Sequence, residues 1–222
     1  MGEFPAVTGK VTIDGEPATK AAITHIALLS ARSSAVQIEN DGSFRLRGIA
    51  PGTYRIRVYT EGSAWVRSIR QNGRDVTRGE IVVGESAPEP LEIDLGAKGG
   101  TVRGIVALPA SQAPPAVMVN LFRRMDSKLV FEKQTYVVLS HVEAQGEDKE
   151  GVIRSSAFTL EGVAPGEYTV LAWPAEAQPD YADPQFIQRY GDRGKAISVQ
   201  EGTTTTVAVD AIAAAEPGDA PL

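Results

Sequence analysis

Cysteine is absent from the 222 residues of this chain. Disulfide staples, thiolate zinc sites and cysteine nucleophiles are therefore excluded, and burial alone must hold the fold. Histidine is almost as scarce, with only His25 and His141, which leaves little for acid–base chemistry built on imidazole. Positive charge is not in excess either: 22 Lys and Arg face 28 Asp and Glu, a formal net charge of -6. A nucleic-acid partner needs a concentrated basic face to displace counterions, so none is expected. No apolar run approaches the ~20 residues that cross a bilayer, so no membrane span is expected. The opening Met1-Gly2-Glu3-Phe4-Pro5 lacks the basic and apolar regions of a signal peptide, and the expectation is a piece of a longer exported protein. No serine sits in Gly-x-Ser-x-Gly and no glycine-rich loop opens a helix, so the common hydrolase and nucleotide motifs are missing.

What is present is a normal globular share of apolar residues, 42%, and an internal repeat. Phe44-Arg45-Leu46-Arg47-Gly48-Ile49-Ala50-Pro51-Gly52-Thr53-Tyr54-Arg55-Ile56 recurs, with every identity at the same offset, as Phe158-Thr159-Leu160-Glu161-Gly162-Val163-Ala164-Pro165-Gly166-Glu167-Tyr168-Thr169-Val170. A looser echo precedes it (Gly9 to Ile13 against Gly104 to Leu108), and another follows it (Leu91 to Leu95 against Val207 to Ala211). Two copies are too few for a solenoid, so two domains are expected: residues 1–97, residues 98–212, and a disordered tail over 213–222. Residues 1–97 hold 11 Lys and Arg against 12 Asp and Glu, leaving 11 and 16 for the rest, so most of the net charge lies in the second half.

Inside each copy the apolar period is two. Tyr54, Ile56 and Val58 alternate with Arg55 and Arg57, as a strand with one buried face requires. Pro51-Gly52 predicts a turn with a positive φ at the glycine. Further strands are predicted at 7–13, 21–29, 33–39, 64–70, 79–83 and 90–95. The second copy repeats the plan at 101–108, 115–123, 128–133, 152–160, 167–173, 195–200 and 203–210. It also carries a polar insertion over 143–151 and one helical turn over 183–191, opened by Asp183-Pro184 and ended by Gly191.

The string from Asp41 to Tyr54, Asp-Gly-x-Phe-x-Leu-x-Gly-Ile-Ala-Pro-Gly-x-Tyr, resembles the carboxypeptidase regulatory-like modules of bacterial envelope proteins. The run from Leu171-Ala172-Trp173 through Asp183-Pro184-Gln185-Phe186 and Tyr190 to Ile197 is similar to the same modules in large exported proteins. The resemblance spans nearly all of both halves. It implies two tandem prealbumin-like Greek-key β-sandwiches of about seven strands each, a carbohydrate-binding-like fold that hosts many roles. Collagen-adhesin B modules of that fold group use a Glu to assist a Lys–Asn isopeptide bond. Val58 and Ala172 stand at that position here, so no crosslink is expected. The histidines and C-terminal Tyr-Arg-Gly-Ser of transthyretin-like hydrolases are missing, as is a zinc carboxypeptidase signature.

The candidates for chemistry are few. His25 lies in an alternating apolar strand and reads as a structural, hydrogen-bonded side chain, and His141 reads as solvated. Asn40-Asp41-Gly42 and Glu147-Asp148-Lys149-Glu150 offer calcium-type oxygens, but the first is the signature of a tight turn and the second contains a lysine. No catalytic, cofactor or metal residue is assigned. Arg45, Arg47, Arg55 and Arg57 would share one face as an anion site if their strands paired as a hairpin. If the chain passes between sheets there, they split into two ordinary pairs. Among the flat rings suited to a pyranose, Trp173 ends a core strand and Tyr190 shares helical spacing with Phe186 and Ile187; core or lid packing is the favoured reading of these rings, with Trp65 and Tyr181 kept as candidate ligand contacts. The expected function is a non-catalytic module of a secreted or cell-envelope protein. It would serve as a spacer or interaction domain toward other domains of that protein or another envelope protein; the alternative is a carbohydrate-binding module with a glycan as partner.

Overall fold

A computed structural model describes residues 6–19, 22–29, 35–109, 115–126, 128–141, 153–176 and 190–212. The chain is all-β, and it divides into two compact units, Met1–Gly99 and Gly100–Leu222. The helical turn expected over 183–191 lies outside the described residues as far as 189; beyond it Gly191–Arg193 forms a short 3-10 turn. The polar insertion and the tail likewise lie outside the described residues.

The first unit holds β1 (Val7–Ile13), β2 (Glu16–Pro17), β3 (Ile23–Leu29), β4 (Ala35–Val36), β5 (Ser43–Leu46), β6 (Gly52–Thr60), β7 (Trp65–Gln71), β8 (Arg74–Asp75), β9 (Ile81–Val83) and β10 (Leu91–Gly96). One sheet runs β2-β1-β10-β7-β8, with β5 also paired to β1, and the other runs β4-β3-β6-β9. The second unit holds β11 (Gly100–Pro109), β12 (Ala116–Met125), β13 (Lys128–Val138), β14 (Ser140–His141), β15 (Ile153–Val163), β16 (Gly166–Pro174), β17 (Lys195–Val199) and β18 (Thr204–Asp210). Its sheets run β14-β15-β11-β18 and β13-β12-β16-β17.

Seven strands correspond between the units. The set β5-β1-β10 matches β15-β11-β18, and β4-β3-β6-β9 matches β13-β12-β16-β17. Partners and senses agree throughout, including the parallel pairs of β1 with β10 and β11 with β18. A glycine fixes that parallel seam in each copy. A Cβ at Gly9 would run into the Leu91 carbonyl and the Phe44 ring, and one at Gly104 into the Val207 carbonyl and the Phe158 ring. The Phe of each repeat therefore lies flat across a backbone that only glycine leaves open.

The repeated motif is the corner by which the chain leaves one sheet for the other. β5 pairs with β1 in the first sheet, whereas β6 pairs with β3 and β9 in the second. The positive φ predicted at Gly52 is instead found one glycine earlier, at Gly48 (71°), with Gly162 (62°) as its counterpart. Gly52 already opens β6. The tyrosine closes the corner: Tyr54 Oη donates to the Ala50 carbonyl at 2.8 Å, and Tyr168 Oη to the Ala164 carbonyl at 2.6 Å. In the second copy the Arg123 guanidinium donates to Tyr168 Oη and, at 3.0 Å, to the Pro165 carbonyl. Gly166 leaves room for it, since a Cβ there would meet Arg123.

Each unit closes its own core. Val7, Val11, Ile26, Leu46, Leu91 and Leu95 are fully buried in the first, and Val102, Val106, Val119, Leu121, Tyr168 and Val170 in the second. β16 departs from strict alternation, because its outer positions are buried as well. Leu171 and Trp173 pack with Phe122, Met118, Leu129, Phe131 and Ile212 on the far side of that sheet.

The corner gives a measurable asymmetry. Tyr168 is fully buried and bonded on both sides, while Tyr54 is half-buried with one bond. Removing a buried hydroxyl that leaves two partners unsatisfied costs ~2 kcal/mol. Tyr168→Phe is expected to lower the stability of its unit by that amount, and Tyr54→Phe by clearly less. Urea unfolding followed at the single tryptophan of each unit, Trp65 or Trp173, checks this; equal losses would contradict it.

Candidate functional site

β5 and β6 lie in different sheets, so the four arginines do not share a face. Arg45 stands between the buried Phe44 and Leu46 on the outside of the first sheet, and Arg47 follows it, exposed. Arg55 and Arg57 lie on the outside of the second sheet, opposite Leu29 and Ala27. Arg55 Nε is 3.7 Å from the Glu80 carboxylate with both side chains more than half exposed, an ion pair that contributes little in water.

On that second face the two arginines continue into an aromatic pair. His25 stands opposite Tyr59, and their rings stack at 4.1 Å between centroids with 22° between planes. His25 is therefore not a core histidine. It is half-buried on the outer face, two positions along β3 from Ala27. The side chain of His141 and all of Tyr181 lie outside what the structure describes.

Trp65 is half-buried against its own chain. It lies opposite Gly96, where a Cβ would strike the indole, and the Arg67 guanidinium is 5.7 Å from the ring centroid. Its Nε1 is buried with no hydrogen-bond partner among the described residues. A sugar-binding tryptophan offers its face and its N–H to solvent; this indole spends its polar edge against Gly96.

The polar cluster beside Trp65 has no local sequence signal. Arg67 donates to Asp14 at 2.8 Å and to Asp94 at 3.0 Å, and Thr12 Oγ1 donates to Asp94 at 3.3 Å. The partners are 53 and 27 positions from Arg67 in the chain, so only the sheet order brings them together. The hydrogen bond from Arg67 holds the Asp14 carboxyl below its ordinary value, and the same bonds raise Arg67. Asp41, a calcium-type oxygen by sequence, is occupied by its own turn: Oδ1 accepts from Ser43 Oγ at 2.7 Å and from Ser43 N–H at 3.0 Å. Those bonds hold its carboxyl low as well. Among the described residues no group of three or more His, Cys, Asp or Glu is placed to hold a metal ion. No helix among them is long and apolar enough to cross a membrane.

Asp14 gives the pH dependence its sign. A carboxyl lowered by folding contributes stability above the ordinary value of 3.8, and that contribution is lost as pH falls through the folded value. Arg67→Ala is expected to move the Asp14 titration, read by NMR, back up toward the ordinary value. An unchanged Asp14 titration would show that Arg67 is not what holds it.

No family model matches the chain, and no curated protein sequence matches it. Among solved structures it is similar to the TIE protein of Bacillus anthracis, with 12% identity over 94% of this chain and 34% of that one at a TM-score of 0.29. The chain thus spans about a third of the length of that protein. It is also similar to a DUF3823 family protein from Bacteroides ovatus, with 13% identity over 89% and 97% of the two chains and a TM-score of 0.28. GBS52, the minor pilin of Streptococcus agalactiae, matches with 11% identity over 98% and 100% at a TM-score of 0.32. Likenesses of this depth assign neither a family nor a role.

Proposed function

We propose that the chain is a non-catalytic tandem of prealbumin-like, carboxypeptidase regulatory-like β-sandwiches, acting as a spacer or protein-interaction segment of a larger secreted or envelope protein. The observation that carries this reading is the junction. β10 ends at Gly96 and β11 begins at Gly100, and the residues between are tied down. Ser63 Oγ donates to the Ala97 carbonyl at 2.8 Å, and Gly99 N–H donates to the Ser63 carbonyl at 2.7 Å. Gly100 is packed against Val199 and Gln200 of the second unit, with no room for a Cβ. The first unit thus bonds its own last residue and the second packs its own first, so each sandwich is complete in itself, which suits a spacer built of tandem modules.

Residues 1–99 and residues 100–222 are each expected to fold alone, with a cooperative urea transition read at Trp65 or Trp173 and a midpoint unchanged from that of the whole chain. A unit that stays unfolded when expressed by itself would remove the reading of self-contained spacer modules.

A second reading, a carbohydrate-binding module, draws on one feature: Tyr59, His25, Arg57 and Arg55 line up on the outer face of β3 and β6. A ring stack beside two cations suits an acidic glycan. Affinity electrophoresis in uronic-acid polysaccharide gels is the check. Retardation lost in Tyr59→Ala with Arg57→Ala would favour this reading, and unretarded migration of the parent chain would dismiss it.

A further inference from the structure

Among the described residues the two units differ at one sheet edge. In the first, β10 is an inner strand with β1 on one side and β7 on the other. β7 pairs with it antiparallel, Ile69 opposite Ile93 and Ser68 opposite Asp94, and Ile69 is 2% exposed in the core. In the second unit β18 has β11 on one side and, among the described residues, no strand on the other. The seam glycines set the correspondence: Gly9 is opposite Leu91 and Gly104 opposite Val207. Val207, Val209 and Ala211 therefore take the places of Leu91, Ile93 and Leu95. Leu91, Ile93 and Leu95 are 0%, 1% and 0% exposed, while Val209 and Ala211 are 3% and 9% and Val207 is only partly buried.

The backbone of β18 shows which groups are open. Thr101 N–H bonds to the Thr203 carbonyl, and Ala211 N–H to the Ala107 carbonyl, both at 2.9 Å. In a parallel pair the N–H and C=O of one residue leave on the same side, and the side alternates along the strand. Residues 203, 205, 207, 209 and 211 thus face β11. The N–H and C=O groups of Thr204, Thr206, Ala208 and Asp210 face away from it, and all four residues are exposed.

Such edges are usually blunted by short strands, lysines, prolines or bulges. Elsewhere this chain follows that rule. β2, β4, β8 and β14 have two residues each and β9 has three. β13 is interrupted by a register shift beside Lys133 and also carries Lys128. β18 has seven residues, Thr-Thr-Thr-Val-Ala-Val-Asp, with no Lys, Arg, Pro or Gly. Its one charge has a telling counterpart. Asp210 corresponds to Asp94, which Arg67 of β7 holds at 3.0 Å in the first unit. Asp210 is 88% exposed by side chain, with Lys195 at 3.9 Å.

We propose that the edge of β18 left unpaired among the described residues accepts an extended strand of another polypeptide, added antiparallel to β18 as β7 is added to β10. The chain itself describes the occupant: apolar side chains facing Val209 and Ala211, where β7 supplies Ile69 and Val66, and a basic residue near Asp210, where β7 supplies Arg67. Main-chain bonds to four outward residues give the affinity, and these side chains give the choice of partner. This goes beyond the spacer reading and does not depend on it.

The test uses the full chain and a labelled peptide of its own residues 64–72, Ala-Trp-Val-Arg-Ser-Ile-Arg-Gln-Asn. Fluorescence anisotropy is expected to show saturable binding, at least tenfold weaker for a peptide with serine in place of Val66 and Ile69. Thr206→Pro removes an outward N–H and no bond to β11, so it is expected to weaken binding at least tenfold with an unchanged urea midpoint. Ala208→Pro, also outward, is the second variant should the first unfold. Hydrogen exchange of Thr204, Thr206 and Ala208 is expected to be fast in the free chain and slowed by peptide. Amides already protected in the free chain, absent binding, or equal binding by the serine peptide or by a folded proline variant would each overturn the proposal. Concentration-dependent dimerisation abolished by Thr206→Pro would also overturn it, by giving the edge to a second copy.

Discussion

The hydrogen bond from a tyrosine hydroxyl to a carbonyl four residues upstream is the constraint on which the rest of each unit depends. The repeated corner must carry the chain across the sandwich rather than back beside itself. A strand turned back as a hairpin would satisfy its backbone locally and leave one sheet with an uncovered apolar face. Tyr54 and Tyr168 tie the end of the corner to its beginning, so β6 and β16 emerge in the opposite sheet. Once that crossing is fixed, Phe44 and Phe158 fall on their seam glycines, the parallel pairing of first and last strands follows, and the apolar faces of two sheets meet. The arginines flanking the corner are separated by the same step, which is why they make no common anion site.

The shared frame and the differences between the copies do separate work. The seven common strands build the two cores, and they tolerate different chemistry at the corner. In the first copy the tyrosine is half-buried and alone; in the second it is fully buried beneath Arg123, which also approaches Glu132 at 3.6 Å. Burying a guanidinium is costly unless its donors are used. Here a carbonyl and a hydroxyl take its two terminal nitrogens, while Nε is buried without a hydrogen bond among the described residues and has the Glu132 carboxylate only at ion-pair distance. In the first copy the stretch between the sixth and ninth strands returns to the first sheet as β7 and β8, and β10 is covered from both sides.

Much of this fold was legible in the sequence because its determinants are local. Alternation marks the strands, and a repeated corner announces two copies of one plan. Boundaries erred where propensity competes with tertiary demand. The predicted strand at 33–39 is present as Ala35–Val36, with 37–39 outside it, and that at 128–133 extends to Val138. Pro51-Gly52 reads as a complete turn, yet in the first copy the positive φ falls at Gly48, and Gly52 already opens β6. The site features were less legible. Arg67 with Asp14 and Asp94, the stack of His25 on Tyr59, and the bare side of β18 all depend on which strands are neighbours. Alternation says that a side chain points outward but not what stands across from it. Trp65 shows the same limit: an exposed aromatic by pattern, it covers a glycine that only the β7–β10 register places beneath it.

An uncovered strand edge invites pairing with further copies of the same chain, so its persistence needs a physical reason. Residues 98–222 carry 11 Lys and Arg against 16 Asp and Glu. Two such units approaching edge to edge bring net negative charge together. β7 in the first unit solves the same problem from within: its arginines lie over the acids of β10, Arg70 opposite Glu92 and Arg67 on Asp94. An edge that repels its own kind and lacks that cation discriminates by charge before any backbone bond forms. The net negative charge of the unit thus works against self-association, and the exposed Asp210 carboxylate, with only Lys195 at 3.9 Å, favours a basic strand at an otherwise sequence-blind backbone edge.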